Sequence, residues 1–289
     1  MNSATKGARE LIAFYIDAGV NAVVSEAPVD RFADQDRPWA INPVAPPLEG
    51  EAAAKRATGS ESSPPYPLKS PSSPTLSLKG GGSESPPAAP EAAIMAAREA
   101  ARSARTLDEL RALLRAFEGC MLRSTATQLV FADGNPQSRV MFVGEAPGRD
   151  EDIAGLPFVG RSGKLLDLMM AAIGLDRSHA YIANVVPWRP PGNRTPTPQE
   201  TAICLPFIRR QIELANPDIL VCLGQPATQT LLHTKEGITK TRGRWFKFDT
   251  GSREIRALAT YHPAFLLRSP LQKRLAWRDF LALKKALAT

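Results

Sequence analysis

The chain has little cysteine and no long hydrophobic run. Three cysteines, Cys120, Cys204 and Cys222, occur in 289 residues. An odd number in so long a chain argues against a disulfide framework. No apolar run approaches the ~18 residues that a membrane helix requires. The N-terminal residues Met1–Lys6 lack the basic-then-apolar order of a secretion signal. We therefore expect a cytoplasmic protein without a membrane segment.

Charge is unevenly distributed. The net charge is +7, from 36 basic and 29 acidic residues. Residues 1–92 carry 8 basic and 11 acidic residues, whereas residues 93–289 carry 28 and 18. The last 49 residues alone hold 11 basic and 3 acidic residues. A basic C-terminal half favours a polyanionic partner such as nucleic acid, although a modest positive balance also serves solubility alone.

Proline marks the domain boundaries. Residues 38–92 contain 12 of the 26 prolines, together with a run of three glycines at 80–82. Such a segment buries too little apolar surface to offset its ordering entropy, so it is predicted to be a disordered linker. Residues 1–37 contain one short helical pattern, which either docks on the main domain or binds a protein partner. Residues 93–289 form the predicted folded domain.

Short apolar segments alternate with helical patterns in that domain. Strands are predicted at residues 139–145, 180–186, 218–224 and 254–261, and capping boxes at Thr106 and Thr197 open two of the helices. This order predicts an α/β fold with three α/β/α layers around a four-stranded, mainly parallel sheet. Sites in such folds lie at the carboxyl ends of the strands, so Glu145, Asn184 and His262 are expected to converge on one crevice.

The loops after these strands carry the candidate functional residues. They match neither the P-loop nor the dinucleotide-binding glycine pattern. Glu145 and Asp152 lie on the first loop and are either surface carboxylates or functional acids. Phe158 is either a core residue or a platform that stacks on a base. Asn184, in an apolar strand, either binds neighbouring backbone or reads the edge of a base.

His262 follows the last predicted strand and is fixed by Pro263. A single histidine is more often structural than functional. The apolar-then-basic segment 265–268 that follows is suited to wedging into DNA.

Four motifs in this order resemble the uracil-DNA glycosylase superfamily, and within it the family 4 type that holds an iron–sulfur cluster. The resemblance covers residues 106–289. The motifs are GEAPGRDEDIAGLPFVGRSGKLLD (144–167), NVVPWRPPGNRTPTPQE (184–200), ITKTRGRWF (238–246) and YHPAFLLRSP (261–270).

The resemblance implies a hydrolytic mechanism on a uracil flipped out of DNA. Phe158 matches the stacking aromatic and Asn184 matches the residue that reads uracil N3–H and O4. His262 and backbone of the first loop, at Gly144 and Ala146, would stabilise charge developing on uracil O2. Glu145 matches the carboxylate that steadies the sugar cation and positions water, and Asp152 is a second candidate for this role.

DNA contacts outside the pocket are also predicted. Some relatives trap the sugar covalently with a histidine in the loop 189–197. This loop has no histidine here, so no covalent adduct is expected. Arg194, in the same loop, is predicted to contact a phosphate. The complete set of predicted DNA-contacting residues is Arg161, Ser162, Arg194, Leu266 and Arg268.

The cysteines depart from the family pattern. Cys120 and Cys204 match two of the four cluster ligands, whereas Phe117 and Trp188 stand at the other two positions. A cluster of this kind normally takes four thiolates. The sequence therefore predicts no iron–sulfur cluster, no metal and no other cofactor, with the two aromatic residues filling the space.

The resulting prediction is a monofunctional, monomeric, nucleoid-associated uracil-DNA glycosylase that acts on single- or double-stranded DNA, leaves an abasic site and starts base-excision repair. The alternative is a protein that binds uracil or abasic DNA and shields its product with little turnover. In either case, residues 1–37 are a candidate site for a protein partner.

Overall fold

The computed structural model describes residues 90–288. The predicted N-terminal helical segment and all but the last residues of the predicted linker lie outside the described residues. The first helix begins at Pro90, three residues before the predicted start of the domain.

Helices and strands alternate through the described part of the chain. The helices are α1 (Pro90–Ser103), α2 (Leu107–Ala116), α3 (Leu122–Thr125), α4 (Arg149–Ala154), α5 (Arg161–Ala171), α6 (Pro198–Ala215), α7 (Gln225–Leu232), α8 (Ile238–Thr241), α9 (Pro263–Arg268) and α10 (Lys273–Leu287). The strands are β1 (Asp133–Gly134), β2 (Val140–Gly144), β3 (Tyr181–Asn184), β4 (Ile219–Leu223), β5 (Trp245–Asp249) and β6 (Glu254–Thr260).

Both predicted capping boxes lie at helix starts, but only the one at Thr197 is complete, because the Glu109 carboxylate accepts the backbone N–H of Arg105 rather than that of Thr106. The Thr106 hydroxyl accepts the backbone N–H of Glu109 at the start of α2. At the start of α6, the Thr197 hydroxyl accepts the backbone N–H of Glu200, and the Glu200 carboxylate accepts the N–H of Thr197 at 2.7 Å. Both caps satisfy backbone donors that have no partner inside the helix.

The strands form one sheet in the order β1-β3-β2-β4-β6-β5. The four central strands are the four predicted ones, and they pair in parallel. The α/β class is therefore confirmed. The sheet has six strands rather than four because antiparallel β1 and β5 extend its edges. Strand β1 has two residues and β5 is only partly buried, so neither forms the continuous apolar run that marks a central strand.

Helices cover both faces of the sheet. Met141 and Val143 of β2 pack into a core with α1, α2, α6 and α7. Val140 and Phe142 point to the opposite face, where α5 and α10 cover them. This alternation follows from the two-residue period of a strand. It leaves the carboxyl ends of the parallel strands open between the two helical layers.

Among the described residues, no helix combines the length and the hydrophobicity that crossing a membrane would take.

Candidate active site

A cleft of about 570 Å³ lies at the carboxyl ends of the parallel strands. Glu145 follows β2, Asn184 ends β3 and His262 follows β6, and all three line this cleft. Ala146 and Phe158 from the loops after β2 line it as well. The parallel topology thus brings together residues that are up to 117 positions apart in the sequence.

Phe158 is held in an unusual backbone conformation. Its φ is 55°, in the left-handed region that non-glycine residues rarely adopt. The Arg177 guanidinium donates hydrogen bonds to the carbonyls of Phe158 and Pro157. A Cβ on Gly163 would lie 1.6 Å from the Phe158 carbonyl oxygen, so only glycine fits there. These contacts fix a 4%-exposed ring at the wall of the cleft, 5.5 Å from the His262 ring between centroids.

Asn184 presents an amide whose oxygen has no hydrogen-bond partner in the part of the chain that the structure describes. The side chain is buried, and its Oδ1 accepts no hydrogen bond from the described residues. Gly144 pairs with Asn184 across the β2–β3 ladder, and a Cβ on Gly144 would lie 2.5 Å from that Oδ1 and 2.6 Å from Phe158 Cζ. Gly144 itself therefore contributes the space in which the amide and the ring meet. A buried amide left unpaired costs about 1–3 kcal/mol, which a ligand with a suitable donor would recover.

His262 is neutral at physiological pH. Burial, with a smaller contribution from the Arg268 charge, lowers the pKa of His262 to about 4. Its Nδ1 accepts the backbone N–H of Ala264 at 3.1 Å at the start of α9. Because Nδ1 is an acceptor, the single proton of the neutral ring lies on Nε2. The ring is thus set to donate a hydrogen bond from Nε2 without carrying a positive charge.

Glu145 is a half-buried carboxylate. Burial raises the pKa of Glu145, and a hydrogen bond with Thr195 opposes part of that rise. Its Oε1 is buried and has no hydrogen-bond partner among the described residues. A carboxylate with a free buried oxygen in a cleft is suited to hold a water molecule or a cation.

Asp152 does not belong to this group. Its Oδ1 accepts the backbone N–H groups of Thr127 (2.8 Å) and Gln128 (3.2 Å), and its Oδ2 accepts the Thr127 hydroxyl (2.9 Å). The side chain is 3% exposed and does not line the cleft. This geometry gives no support to the prediction that Asp152 shares the catalytic work. Its carboxylate instead ties helix α4 to the segment before β1.

The predicted DNA-contacting residues differ in whether they line the cleft and in how exposed they are. Ser162 and Arg268 line the cleft, and Arg268 is exposed. Arg161 is exposed but does not line the cleft. Leu266 is 1% exposed and packs with Leu165 in a small core between α5 and α9. In this position the Leu266 side chain is used for packing, which gives no support to the prediction that it wedges into DNA.

Arg194 lines the cleft but already has a partner. Its two terminal nitrogens bind the two carboxylate oxygens of Glu200 at 2.6 and 2.8 Å. The same Glu200 caps helix α6, so the pair fixes the loop before that helix. Its charge is largely compensated within the protein, which weakens the assignment of Arg194 to a phosphate.

Three supporting residues were missed by the sequence reasoning. Arg177 anchors Phe158, and Glu151 joins the two loops after β2 by accepting the N–H groups of Gly148, Val159 and Gly160. Their sequence context contains no signal for these roles. Gly224 also lines the cleft, and a Cβ there would lie 2.9 Å from His262 Cβ. The rule that sites lie at carboxyl ends of parallel strands points to Gly224, because it ends the third predicted strand.

The region of the cysteines does not fit a four-thiolate cluster. Cys120 and Cys204 are buried with their sulfur atoms 4.0 Å apart. Trp188 is 2% exposed in the same core, and Phe117 packs edge-on against Phe207 with ring centroids 5.0 Å apart. Among the described residues, no group of three or more Cys, His, Asp or Glu side chains is placed to hold a metal ion. Two thiols and two aromatic rings offer only half of the ligands that such a cluster requires.

Comparison with known proteins identifies relatives over most of the described domain. Residues 131–281 match the model of the Uracil DNA glycosylase superfamily. The chain is 39% identical to the type-4 uracil-DNA glycosylase of Archaeoglobus fulgidus over 179 residues, which are 61% of this chain and 90% of that protein. It is 45% identical over 151 residues to the type-4 enzyme of Thermotoga maritima, covering 52% and 77%. It is 40% identical over 176 residues to that of Sulfurisphaera tokodaii, covering 59% and 80%.

Proposed function

The chain belongs to the uracil-DNA glycosylase superfamily, and from this we propose that it hydrolyses the N-glycosidic bond of uracil in DNA, leaving an abasic site for base-excision repair. The observation that carries the proposal is the cleft itself. It holds an unpaired buried amide oxygen on Asn184, a neutral imidazole on His262 and a half-buried carboxylate on Glu145. These are the groups needed to recognise a base edge, accept developing charge and act on a sugar.

The base enters the cleft only after it has left the DNA stack, because its glycosidic bond is not reachable inside a duplex. Phe158 stacks on the flipped ring and Asn184 pairs with its edge. The amide Oδ1 accepts uracil N3–H, and the amide NH₂ donates to O4. Cytosine presents the opposite donors and acceptors at these atoms, so it would leave buried polar groups unpaired.

His262 acts as a neutral hydrogen-bond donor. As the glycosidic bond breaks, negative charge moves onto the uracil ring, and the Nε2 proton of His262 together with backbone N–H groups near Ala146 stabilises it at O2. A neutral ring is favoured here because the pKa of about 4 keeps the imidazole unprotonated at physiological pH. The site therefore stabilises the departing uracil by hydrogen bonding rather than by a full positive charge.

Glu145 completes the reaction on the sugar. Its carboxylate stabilises the oxocarbenium-like sugar and orients or deprotonates the attacking water, as carboxylates do at other anomeric carbons. The free buried Oε1 supports this role, because the protein leaves that oxygen available. The reaction is monofunctional in this proposal, since segment 189–197 offers no histidine to trap the sugar.

We also propose that the protein works without an iron–sulfur cluster. The support is that Trp188 lies in the same core as the pair of thiols Cys120 and Cys204, and that Phe117 packs against that core. No step of the proposed reaction passes through that region.

The test is release of uracil from single- and double-stranded uracil-DNA under multiple turnover. We expect many uracils released per protein, and Glu145→Gln, which is nearly isosteric, should bind the same DNA but release uracil far more slowly. Less than one uracil per protein, with tight retention of the abasic product, would instead identify a binding protein that shields its product.

A further inference from the structure

The two helical layers of the sheet differ in charge. Helices α1, α2 and α6, on one face, carry six basic and six acidic residues. Helices α5, α9 and α10, on the other face, carry eight basic and two acidic residues. The two acids are Asp167, which is paired with Arg177, and Asp279, which is buried and paired with Arg242. The second face is therefore strongly basic, and we call it the basic face.

The exposed cations of α10 are in no ion pair with the residues that the structure describes. Within residues 90–288, none of Arg274, Arg278, Lys284 and Lys285 takes part in an ion pair, although all four are exposed. Arg98 and Arg102 of α1 are also in no ion pair, but α1 carries the exposed acids Glu91 and Glu99, whereas the one acid of α10, Asp279, is buried. Four neighbouring unpaired cations on one helix are suited to a polyanion that supplies the missing charge.

Only the basic residues at the start of α10 are unfavourably placed for the helix itself, since Lys284 and Lys285 lie in its last turn, where the helix dipole favours cations. Lys273 and Arg274 occupy the first turn of α10, where the helix dipole favours acids, and that turn contains no acidic residue. A helix stabilised only by its own interactions would carry the reverse pattern at this end. The same dipole attracts an anion bound outside the helix.

An apolar strip accompanies the cations. Trp277 is 41% exposed and Leu281, one turn further on, is 43% exposed. Arg274, Trp277, Arg278 and Leu281 lie at positions that share one side of a helix, and we call them the α10 strip. Cations alternating with an exposed aromatic ring are typical of surfaces that bind nucleic-acid strands, where the ring stacks on a base.

The α10 strip follows the cleft closely in the chain. Arg268, at the end of α9, lines the cleft, and only Ser269 and the short turn Pro270–Gln272 separate α9 from α10. Leu271 in that turn is 84% exposed. A DNA strand leaving the cleft on this side would therefore meet α10 next.

Resting on the proposed function, we infer that the α10 strip binds the DNA strand that flanks the uracil. Arg274 and Arg278 contact phosphates, and Trp277 stacks on an unpaired base. The two arginines are one helical turn apart, about 6 Å, which matches about two nucleotides of rise along one strand. Because stacking needs a base that is not paired, this surface favours a single-stranded flank.

The experiment measures Kd for DNA carrying a stable abasic analogue, single- and double-stranded, at several salt concentrations. The full-length variant Arg274→Ala/Arg278→Ala should lose about 1.4 to 1.8 from the slope of log Kd against log salt, because each phosphate contact contributes about 0.7 to 0.9. The ratio of the variant's Kd to that of the unmodified protein should thus be about 25- to 60-fold larger at 0.1 M salt than at 1 M salt. Trp277→Ala should weaken single-stranded binding by at least about 5-fold and duplex binding less.

The matched control is Arg98→Ala/Arg102→Ala, which removes two exposed arginines from α1 on the opposite face. It should leave the slope almost unchanged. Single-turnover uracil release at saturating protein separates this inference from the proposed function, since the α10 variants should keep the unmodified rate within about twofold. If the unmodified protein releases uracil but the α10 variants bind DNA with unchanged Kd and slope, or if the α1 control loses as much, the inference is wrong.

Discussion

Asn184→Asp gives the sharpest test of how the base is selected. The substitution keeps the size and shape of a side chain that is 4% exposed and fixed between Gly144 and Phe158. It replaces the amide NH₂, the only donor that Asn184 offers, with a second acceptor. Fold and volume are therefore preserved while the hydrogen-bonding pattern that faces the base is reversed at one atom.

The expected magnitude follows from the burial of that position. Uracil O4 would lose its donor and face a carboxylate oxygen, and a buried acceptor left unpaired costs about 1–3 kcal/mol. This corresponds to a loss of about 5- to 150-fold in kcat/KM. The added negative charge places the expected loss near the upper end, at about 100-fold. Cytosine carries an amino group at the same position and would no longer be rejected there. The ratio of uracil release to cytosine release should therefore fall by more than the kcat/KM on uracil does.

The assay compares single-turnover release of uracil and of cytosine from otherwise identical single-stranded oligonucleotides. The matched control is Asn193→Asp, an identical change at an exposed position that also lines the cleft. Asn193 lies on the loop before α6 and its side chain accepts a hydrogen bond from Arg189. The control should leave the uracil-to-cytosine ratio unchanged.

The reasoning is refuted if Asn184→Asp folds with normal thermal stability and retains both its kcat/KM on uracil and its discrimination against cytosine. That result would mean that the side-chain NH₂ of Asn184 does not donate to O4 of the base. An equal loss in the Asn193→Asp control would show instead that added negative charge in the cleft is sufficient to explain the effect.

Three other predictions concern the carboxylates, the histidine and the cysteines. Glu145→Gln should lower the rate of single-turnover uracil release by at least about 100-fold with little change in DNA affinity. Asp152→Asn should instead lower the free energy of unfolding by about 1–3 kcal/mol and keep most of the rate. Reversed effects in denaturation and rate measurements would contradict the assignment. In a pH profile, the rate of uracil release should fall as pH drops through the raised pKa of Glu145, since the ionised carboxylate is required. The rate should not decline as pH rises through 6.5, because His262 with its pKa of about 4 is already neutral. A decline there would mean that the imidazolium form is needed. Metal analysis of anaerobically purified protein should find little iron, and Cys120→Ser/Cys204→Ser should keep uracil release; one cluster's iron per chain would overturn the proposal.

Much of the site could be predicted because parallel α/β topology is regular. Once four short apolar strands alternate with helices, the residues after each strand must meet at one edge, whatever their separation in sequence. Glu145, Asn184 and His262 were assigned to one crevice by this rule, and the structure brings them into one cleft.

The two site predictions that the geometry does not support share a physical cause. Asp152 and Leu266 lie on helices α4 and α9, which also carry residues that line the cleft, but sequence position does not show which way a side chain points. Asp152 turns towards the backbone N–H groups of Thr127 and Gln128, some 25 residues earlier, and Leu266 turns into a core with α5. Such choices depend on partners that come from distant parts of the chain.

The sequence by itself determined the fold class, the order of the central strands along the chain and the residue types available at each loop. It did so because the hydrophobic period and the helix caps are local signals. Only the tertiary structure decided the protonation and exposure of particular side chains: the neutral His262, the Oδ1 of Asn184 that has no partner among the described residues, and the exposed Arg274 and Arg278 of α10. Burial and hydrogen bonding between segments far apart in the chain set these properties, and no local pattern encodes them.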